Sequence, residues 1–507
     1  LAGVVHRPRN PSLIPAVRKP SDRWLPLTTL VALAALVAFQ AWAYFTRLQL
    51  SLGPRVILQP WLLHRGFLMY ENAADLHTPL MPLILSALVP LIPDGLERAQ
   101  LVLVGLLSLT TVLVFAASLP RAGWWIGLWG AAFFVLWSPA FGYGKLWYES
   151  FLAPIYALWL ITDDPSATRP SAKSLLFLGF LGGVGVLLKQ HAALVFAAFV
   201  SWNIVMRWCT HHSLTSVLRE AAWVGVTTLL TIGSCLAYQF MRAGTLQGLI
   251  YWIFTYPLAG VYASLAAKAP GPSQVRLLAI SSLVLPLSVA SLIYAARKKD
   301  KDWLRLGGAL VLLSASSITA FPRFEMFHLQ GTLAILAIVS CLTVSYILRS
   351  WPAGRLTTTS LVMVLSALWL VTPGRAYRDA IQRQTPRQIA EYSALVPLAD
   401  EIRQVVGPSA CVYVFPESES NSNLYYLLGC SPPRYWVFHY PWYMIEPIKS
   451  WALHALQEAS PEWVIYFPGD WRQAQELAPE FVEYIRRHYQ EGETLSEGQL
   501  LLHQMAP

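Results

Sequence analysis

The sequence predicts an α-helical polytopic membrane protein, a bundle of about eleven transmembrane helices followed by a small extracytoplasmic α/β domain. Three observations predict it. Hydrophobic residues fill 55% of the 507 positions and charged residues 13%, against about 25% charged in an ordinary soluble domain. The mean hydropathy is +0.46. The apolar residues come in long runs separated by short basic loops, until a polar tail begins near Arg375.

The first element is a basic stretch, Arg7, Arg9, Arg18, Lys19 and Arg23, ahead of an apolar run at 25–45. That run is long enough to span a bilayer, so it reads as a signal anchor with a cytoplasmic N-terminus at 1–24. Further spans are expected at 99–119, 124–141, 149–162, 174–188, 192–206, 222–241, 277–296, 304–321, 331–348 and 357–373. Loop charge orients them. Arg121, Arg169 with Lys173, Arg207 with Arg219, the run Arg297-Lys298-Lys299-Asp300-Lys301, and Arg349 with Arg355 recur in alternate gaps. Basic loops face the cytoplasm, which puts the chain beyond Pro373 outside. The net charge of +9 therefore does not indicate nucleic acid. The 21 Trp and 22 Tyr suit membrane–water interfaces, where one end of the ring is apolar and the other wet.

One run breaks the alternation. Residues 79–93 carry four prolines and are too short for a comfortable span, so they read as a re-entrant or interfacial segment inside one long outer loop at 47–98. A second outer stretch, 242–276, is rich in Tyr and Trp and is expected to cover the mouth of the bundle. The transmembrane domain is thus 25–373 and the extracytoplasmic domain 374–507.

In that last domain, 388–406 reads as an amphipathic helix and 411–415 as a strand. Residues 421–428 read as a helix, and strand-like runs recur at 435–438, 463–467 and 500–503. Helical patterns at 446–458 and 473–489 separate them. Alternating strands and helices predict a largely parallel sheet. Cys411 opens a strand and Cys430 closes the helix after it, at the same end of the sheet; a disulfide and two free thiols are both compatible with that placement. Cys209, Cys235 and Cys341 read as small buried hydrophobes, with no metal-ligand spacing. No catalytic motif stands out in this domain, and its expected role is structural or acceptor docking.

Ionisable groups at a membrane boundary are costly and therefore functional candidates. The densest cluster is Tyr70-Glu71-Asn72-Ala73-Ala74-Asp75-Leu76-His77, with two carboxylates and a histidine just before the re-entrant run. Carboxylates there suit a general base or a cation site. Glu149 opens a span. Lys189-Gln190-His191 separates two apolar runs, and a lysine there can hold a phosphate as a point charge. Pro322-Arg323-Phe324-Glu325-Met326-Phe327-His328 forms another turn, where Arg323 can take a phosphate bidentately and Glu325 and His328 can share a helical face. The blander readings are a solvated loop, a snorkelling lysine and an interfacial ion pair.

These segments resemble the GT-C superfamily of integral-membrane glycosyltransferases, and within it bacterial proteins similar to protein O-mannosyltransferases and aminoarabinose transferases. Gly66…Tyr70-Glu71…His77-Thr78-Pro79-Leu80 is similar to its first-loop pattern, Leu188-Lys189-Gln190-His191 to its lysine turn, and Pro322-Arg323…Glu325…His328-Leu329 to a recurrent late motif. The order of the three adds to their specificity. One departure is that no acid lies between Phe45 and Tyr70, where many members carry an Asp.

The resemblance implies a GT-C-like bundle that transfers a hexosyl or pentosyl group from a polyprenyl-phosphate donor to a lipid, glycan or protein acceptor. The reaction would take place on the outer face of the plasma membrane. It implies Glu71 or Asp75 as base and Glu149 as a second acid. Lys189 and Arg323 would hold the phosphate, with Tyr70, His77, His191, Glu325 and His328 around the substrate. No cofactor is required by any spacing, although a divalent cation is compatible with an acidic pair. The competing readings are a flippase of lipid-linked sugars and a non-catalytic relative.

Overall fold

Apolar side chains decide where the helices go, and short capping residues decide where they start. The computed structural model describes residues 21–505 apart from 166, 168–169, 212, 351–354, 384–386, 409–410, 469–474 and 497. Arg7, Arg9, Arg18, Lys19 and Arg169 lie outside the described residues. Among those described, seven helices are long and apolar enough to cross a membrane: Pro26–Thr46, Gly95–Pro120, Ala192–Thr210, Leu214–Ala243, Pro272–Arg297, Asp302–Ala320 and Met326–Ser350. Ala122–Trp137 and Ala172–Leu188 are shorter apolar helices. Tyr148–Thr162 and Arg355–Gln382 fill the two remaining apolar runs. The chain is therefore a multi-pass membrane protein, mostly helical.

Local chemistry sets several boundaries. The Asp94 carboxylate accepts from the Glu97 N–H at 2.9 Å and starts the helix at Gly95; Ser171 does the same for the Ser174 N–H at 3.1 Å. These caps satisfy donors that the first helical turn leaves without partners. The reversal expected around Arg121 is made at Gly123, whose φ of 78° lies where a side chain would be strained. The chain folds back there, bringing Gly127 against Phe115.

Met326–Ser350 is the central helix. Its most apolar stretch is 89% buried, against 6% for Leu214–Ala243 at the periphery. It packs on Gly95–Trp137, Tyr148–Thr162 and Asp302–Ser316 around one core that includes Trp137, Tyr156, Trp159, Leu333 and Ile338. At one end of the Tyr148–Thr162 helix, Asp163 accepts from Arg207 at 2.6 and 3.2 Å, and Arg207 also pairs with Glu220 at 2.9 Å. All three side chains are buried.

The segment 47–98 carries two short helices, Leu58–His64 and Leu80–Ala87, packed on each other. Leu50–Ser51 pairs in parallel with Ile389–Ala390, so the helix expected from 388 instead runs Leu395–Val406. The C-terminal sheet departs from the parallel arrangement predicted. Val412–Phe415 and Trp463–Tyr466 are parallel, but Leu500–Gln504 runs antiparallel between Trp463–Tyr466 and Tyr489–Thr494. The hairpin-like return of the last two strands hid inside a charged segment, Glu491 to Glu493, that lacks strand-like alternation. The run 435–438 is not a ladder strand; Trp436 instead makes an isolated bridge to Ala73. Cys411 and Cys430 form a disulfide. The apolar core of this sheet includes Leu58, Leu62, Phe67, Met69 and Ala73 from the 47–98 segment, which fixes that segment over the end of the helical bundle.

Candidate active site

Four segments converge on that end: the turn 75–77, the N-terminus of Tyr148–Thr162, the Lys189–His191 turn and the Arg323–His328 turn. A polar cavity of about 270 Å³ is lined by Arg55, His77, Lys145, Arg323, His328 and Glu419, among others. A second of about 200 Å³ adds Lys189, Gln190 and His191. The two share His77, Tyr262, Arg323 and His328 and so adjoin.

Asp75 is fully buried behind His77. Its Oδ1 accepts from the His77 backbone N–H at 2.9 Å and lies 2.7 Å from His77 Nδ1. Its Oδ2 accepts from Gln59 at 3.0 Å and from the Tyr148 hydroxyl at 3.1 Å. Burial opposes the carboxylate charge, but the hydrogen bonds from His77 and Gln59 and the Arg55 charge outweigh it and hold Asp75 well below the usual carboxylate range. Burial pushes His77 below its ordinary value in spite of Asp75, which keeps the ring neutral. The ring stacks on Tyr148 with centroids 4.1 Å apart. With Nδ1 held by Asp75, Nε2 is the nitrogen left for the cavity.

Glu149 is likewise buried. It pairs with Lys189 and lies 2.9 Å from His328 Nδ1, so it holds two cavity-lining groups in place. The His191 ring is pushed down to about 4 by burial and by Lys189. Gln190 donates to the Leu76 carbonyl at 2.8 Å, tying the lysine turn to the aspartate turn.

The remaining cations are Arg55, Lys145 and Arg323. Arg55 is 3.4 Å from Glu419 and donates to the Tyr443 hydroxyl at 3.2 Å. Its guanidinium also lies 5.0 Å from the Trp147 ring centroid. Lys145 donates to the other Glu419 oxygen at 3.1 Å and sits 4.8 Å from the Trp147 and Phe327 rings. Arg323 lies 5.2 Å over Trp442 and 3.7 Å from Glu325. Arg323 is only half-buried and so presents its charge to the cavity. The Glu325 carboxylate pairs with Lys268 at 2.6 Å, and Glu325 meets His328 through the backbone, its carbonyl accepting from the His328 N–H at 3.0 Å.

Of the candidates read from sequence, Asp75, His77, Glu149, Lys189, His191, Arg323 and His328 are thus brought together, with Glu325 at the rim. Glu71 is not. It lines a separate cavity with Tyr70 and Trp252. Tyr70 stands between the two, donating its hydroxyl to the His77 carbonyl at 2.7 Å. Arg55, Lys145, Tyr148 and Glu419 were missed. Arg55 and Lys145 each stand alone in apolar surroundings near a Pro or Trp, a weak signal of functional charge. Nothing in the polar segment around Glu419 distinguishes it. Among the described residues, no group of three or more His, Cys, Asp and Glu side chains is placed to hold a metal ion.

An apolar cavity of about 480 Å³ lies between the Pro272–Arg297, Asp302–Ala320 and Met326–Ser350 helices, lined by Leu278, Leu313 and Leu336 among others. Phe321 and Pro322 line both it and the Lys189 cavity.

No protein-family model matches the sequence, and no curated protein does. Solved structures do match. ArnT from Cupriavidus metallidurans, solved bound to undecaprenyl phosphate, aligns with a TM-score of 0.57 at 12% identity over 94% of this chain and 98% of its own. The archaeal oligosaccharyltransferase AglB from Archaeoglobus fulgidus was solved with an inhibitory peptide and a dolichol-phosphate. It aligns with a TM-score of 0.51 at 9% identity, over 95% of this chain and 75% of its own. Arabinofuranosyltransferase AftD from Mycobacteria aligns with a TM-score of 0.53 at 12% identity over 96% of this chain and 40% of its own. The chain has the fold of the GT-C integral-membrane glycosyltransferases.

Proposed function

We propose that this chain is a glycosyltransferase that moves a sugar from a polyprenyl-phosphate donor to a lipid, glycan or protein acceptor. The observation that carries the reading is a polar cavity, lined by Lys189, Arg323 and an Asp75-backed His77, that shares Phe321 and Pro322 with an apolar cavity between helices and adjoins the cavity lined by Arg55 and Lys145. A lipid-phosphate sugar is chemically divided in the same way. Its tail needs apolar surface, its phosphate needs fixed positive charge, and its reacting carbon needs a base nearby.

In this reading the acceptor hydroxyl attacks C1 of the donor sugar and its proton passes to His77 Nε2. The bond from C1 to the phosphate oxygen breaks. Polyprenyl phosphate leaves with one more negative charge, taken up by Arg55, Lys145 and Arg323. Donors fixed in a site shielded from water stabilise such charge without reorganising. Lys189, held with His328 by Glu149, stands on the apolar-cavity side of that phosphate and shares in holding it. Asp75 positions His77 and keeps the Nδ1 proton in place, and does not itself touch substrate. No step requires a metal.

The same reading places the eleven apolar helices across the plasma membrane, with the N-terminus cytoplasmic and the 374–507 domain outside. The Cys411–Cys430 disulfide supports an oxidising compartment for that domain. The test is sugar transfer in proteoliposomes, supplying a panel of labelled polyprenyl-phosphate sugars with mixed lipid, glycan and peptide acceptors. Donor-dependent labelling of one acceptor class supports the reading. No labelling with any donor, in a protein that also fails to bind undecaprenyl phosphate, overturns it.

A further inference from the structure

A further cavity stands apart from the one described above. It has a volume of about 740 Å³ and lies between the 246–255 segment, the Tyr70–Glu71 turn and the Ile448–Ala459 helix. We propose that it binds the glycan part of the acceptor, an inference that rests on the glycosyltransferase reading for its role in the reaction but not for its binding.

The lining carries the argument. Trp451 is 41% exposed, so a large aromatic surface is left open. Tyr251 and Tyr435 stand nearly upright against it, each with centroids 5.5 Å away, at 69° and 77°. These three rings pack edge to face into one apolar aromatic wall of the cavity, suited to the C–H faces of sugar rings. Hydroxyl partners stand at the edges: Glu71, Glu458 and Arg434 all line the cavity. Its volume falls within the roughly 300–1,000 Å³ of small-molecule sites, where a few placed polar groups among aromatics fix orientation. A slot for an acyl chain would have no use for two carboxylates and a guanidinium at its wall.

Glu71 is built into this cavity. A Cβ at Gly248 would come 2.7 Å from Glu71 Oε1 and 2.7 Å from the Tyr70 carbonyl oxygen. Only a glycine lets the 246–255 segment close over that carboxylate. Among the described residues, Glu71 accepts no hydrogen bond and meets no cation within ion-pairing distance. A partly buried carboxylate is stabilised by partners, and sugar hydroxyls would supply them. Tyr70 also joins the two cavities. It lines this one, and its hydroxyl holds the carbonyl of His77. Trp252 packs 5.8 Å from Tyr443, which lines the other. A glycan held here would stand one side-chain layer from the proposed base.

The experiment is saccharide binding by the full chain in detergent. Saturation-transfer-difference NMR would be recorded with maltotriose, cellotriose and mannotriose, and no donor present. Failure of the donor chemistry therefore leaves this result intact, and the reverse also holds. At least one saccharide binds the wild type. Trp451→Ala and Glu458→Gln each weaken that binding by tenfold or more, and Trp451→Phe, which keeps a ring in place, retains most of it. Binding that none of these substitutions changes, or no binding of any saccharide, overturns the proposal. Displacement of the saccharide by laurate, with laurate affinity falling in Trp451→Ala but not in Glu458→Gln, would show a lipid site instead.

Discussion

Asp75 stands behind His77, its Oδ1 2.7 Å from the ring Nδ1 and its other oxygen held by Gln59 and Tyr148. The carboxylate has no free face, whereas the histidine lines both polar cavities. That order makes the histidine the group that can receive a proton and the aspartate the group that orients it, because a neutral imidazole needs one nitrogen protonated and fixed before the other can accept.

Replacing His77 by Ala should lower transfer by about 100-fold or more, the usual share of a general base. Asp75→Asn should act through His77: the rate falls and its dependence on pH changes. Because burial lowers the His77 pKa, kcat/KM in the wild type should be flat above about 6.5, the ordinary histidine value. It should fall only as pH drops well below that value and the ring becomes charged. A profile from pH 4 to 8 checks this; a wild-type profile that His77→Gln leaves unaltered would remove His77 from the role.

Glu419 should compete with the donor. It occupies Arg55 and Lys145 together, which are the cations proposed for the lipid phosphate. Glu419→Gln should therefore bind undecaprenyl phosphate more tightly, by about two- to fivefold if the lost pair is worth up to about 1 kcal/mol. Native mass spectrometry of the solubilised protein with added lipid measures it. Weaker binding would mean that Glu419 positions the two cations and does not block them.

The buried ion pairs beside the far end of the Tyr148–Thr162 helix predict a stability effect. Arg207→Ala would strand Asp163 and Glu220, both buried, at a cost of about 3–5 kcal/mol. Thermal unfolding in detergent should show a clear drop for Arg207→Ala and a smaller one for Arg207→Lys.

Glu417 gives the region around the C-terminal sheet a pH dependence of opposite sign to that of an ordinary paired carboxylate. Burial pushes its carboxyl up to about 8, although hydrogen bonds from Tyr425 and Trp436 pull the other way. The folded state then keeps a proton that the unfolded chain has lost, so stability is highest below the unfolded value near 4.3 and declines as pH rises toward 8. The melting temperature should follow that decline in the wild type. In Glu417→Gln, which cannot titrate, the decline should be shallower.

Much of the bundle was legible because lipid-crossing helices are written as apolar runs, and the structure places helices on the runs predicted. The motif turns were legible because charge next to the bilayer is rare. Asp75, His77, Lys189 and Arg323 stood out for that reason and do converge. Glu71 stood out equally but sits on the far side of Tyr70, a distinction made by the direction of one turn, to which spacing is blind. Arg55, Lys145 and Glu419 come from segments far apart in sequence, and the packing of the C-terminal sheet on the 47–98 segment joins them. The antiparallel return in the sheet was missed because Tyr489–Thr494 is charged and mostly exposed, so it carries no alternation to reveal a strand.

The measurement that bears most directly on the central claim is single-turnover transfer from a labelled polyprenyl-phosphate sugar in proteoliposomes. Donor binding would be read in the same samples for wild type, His77→Ala and Lys145→Ala. The account predicts that His77→Ala binds donor as the wild type does but transfers sugar at about a hundredth of the wild-type rate or less, while Lys145→Ala loses binding. Transfer by His77→Ala at the wild-type rate, or donor binding untouched by Lys145→Ala, would contradict it.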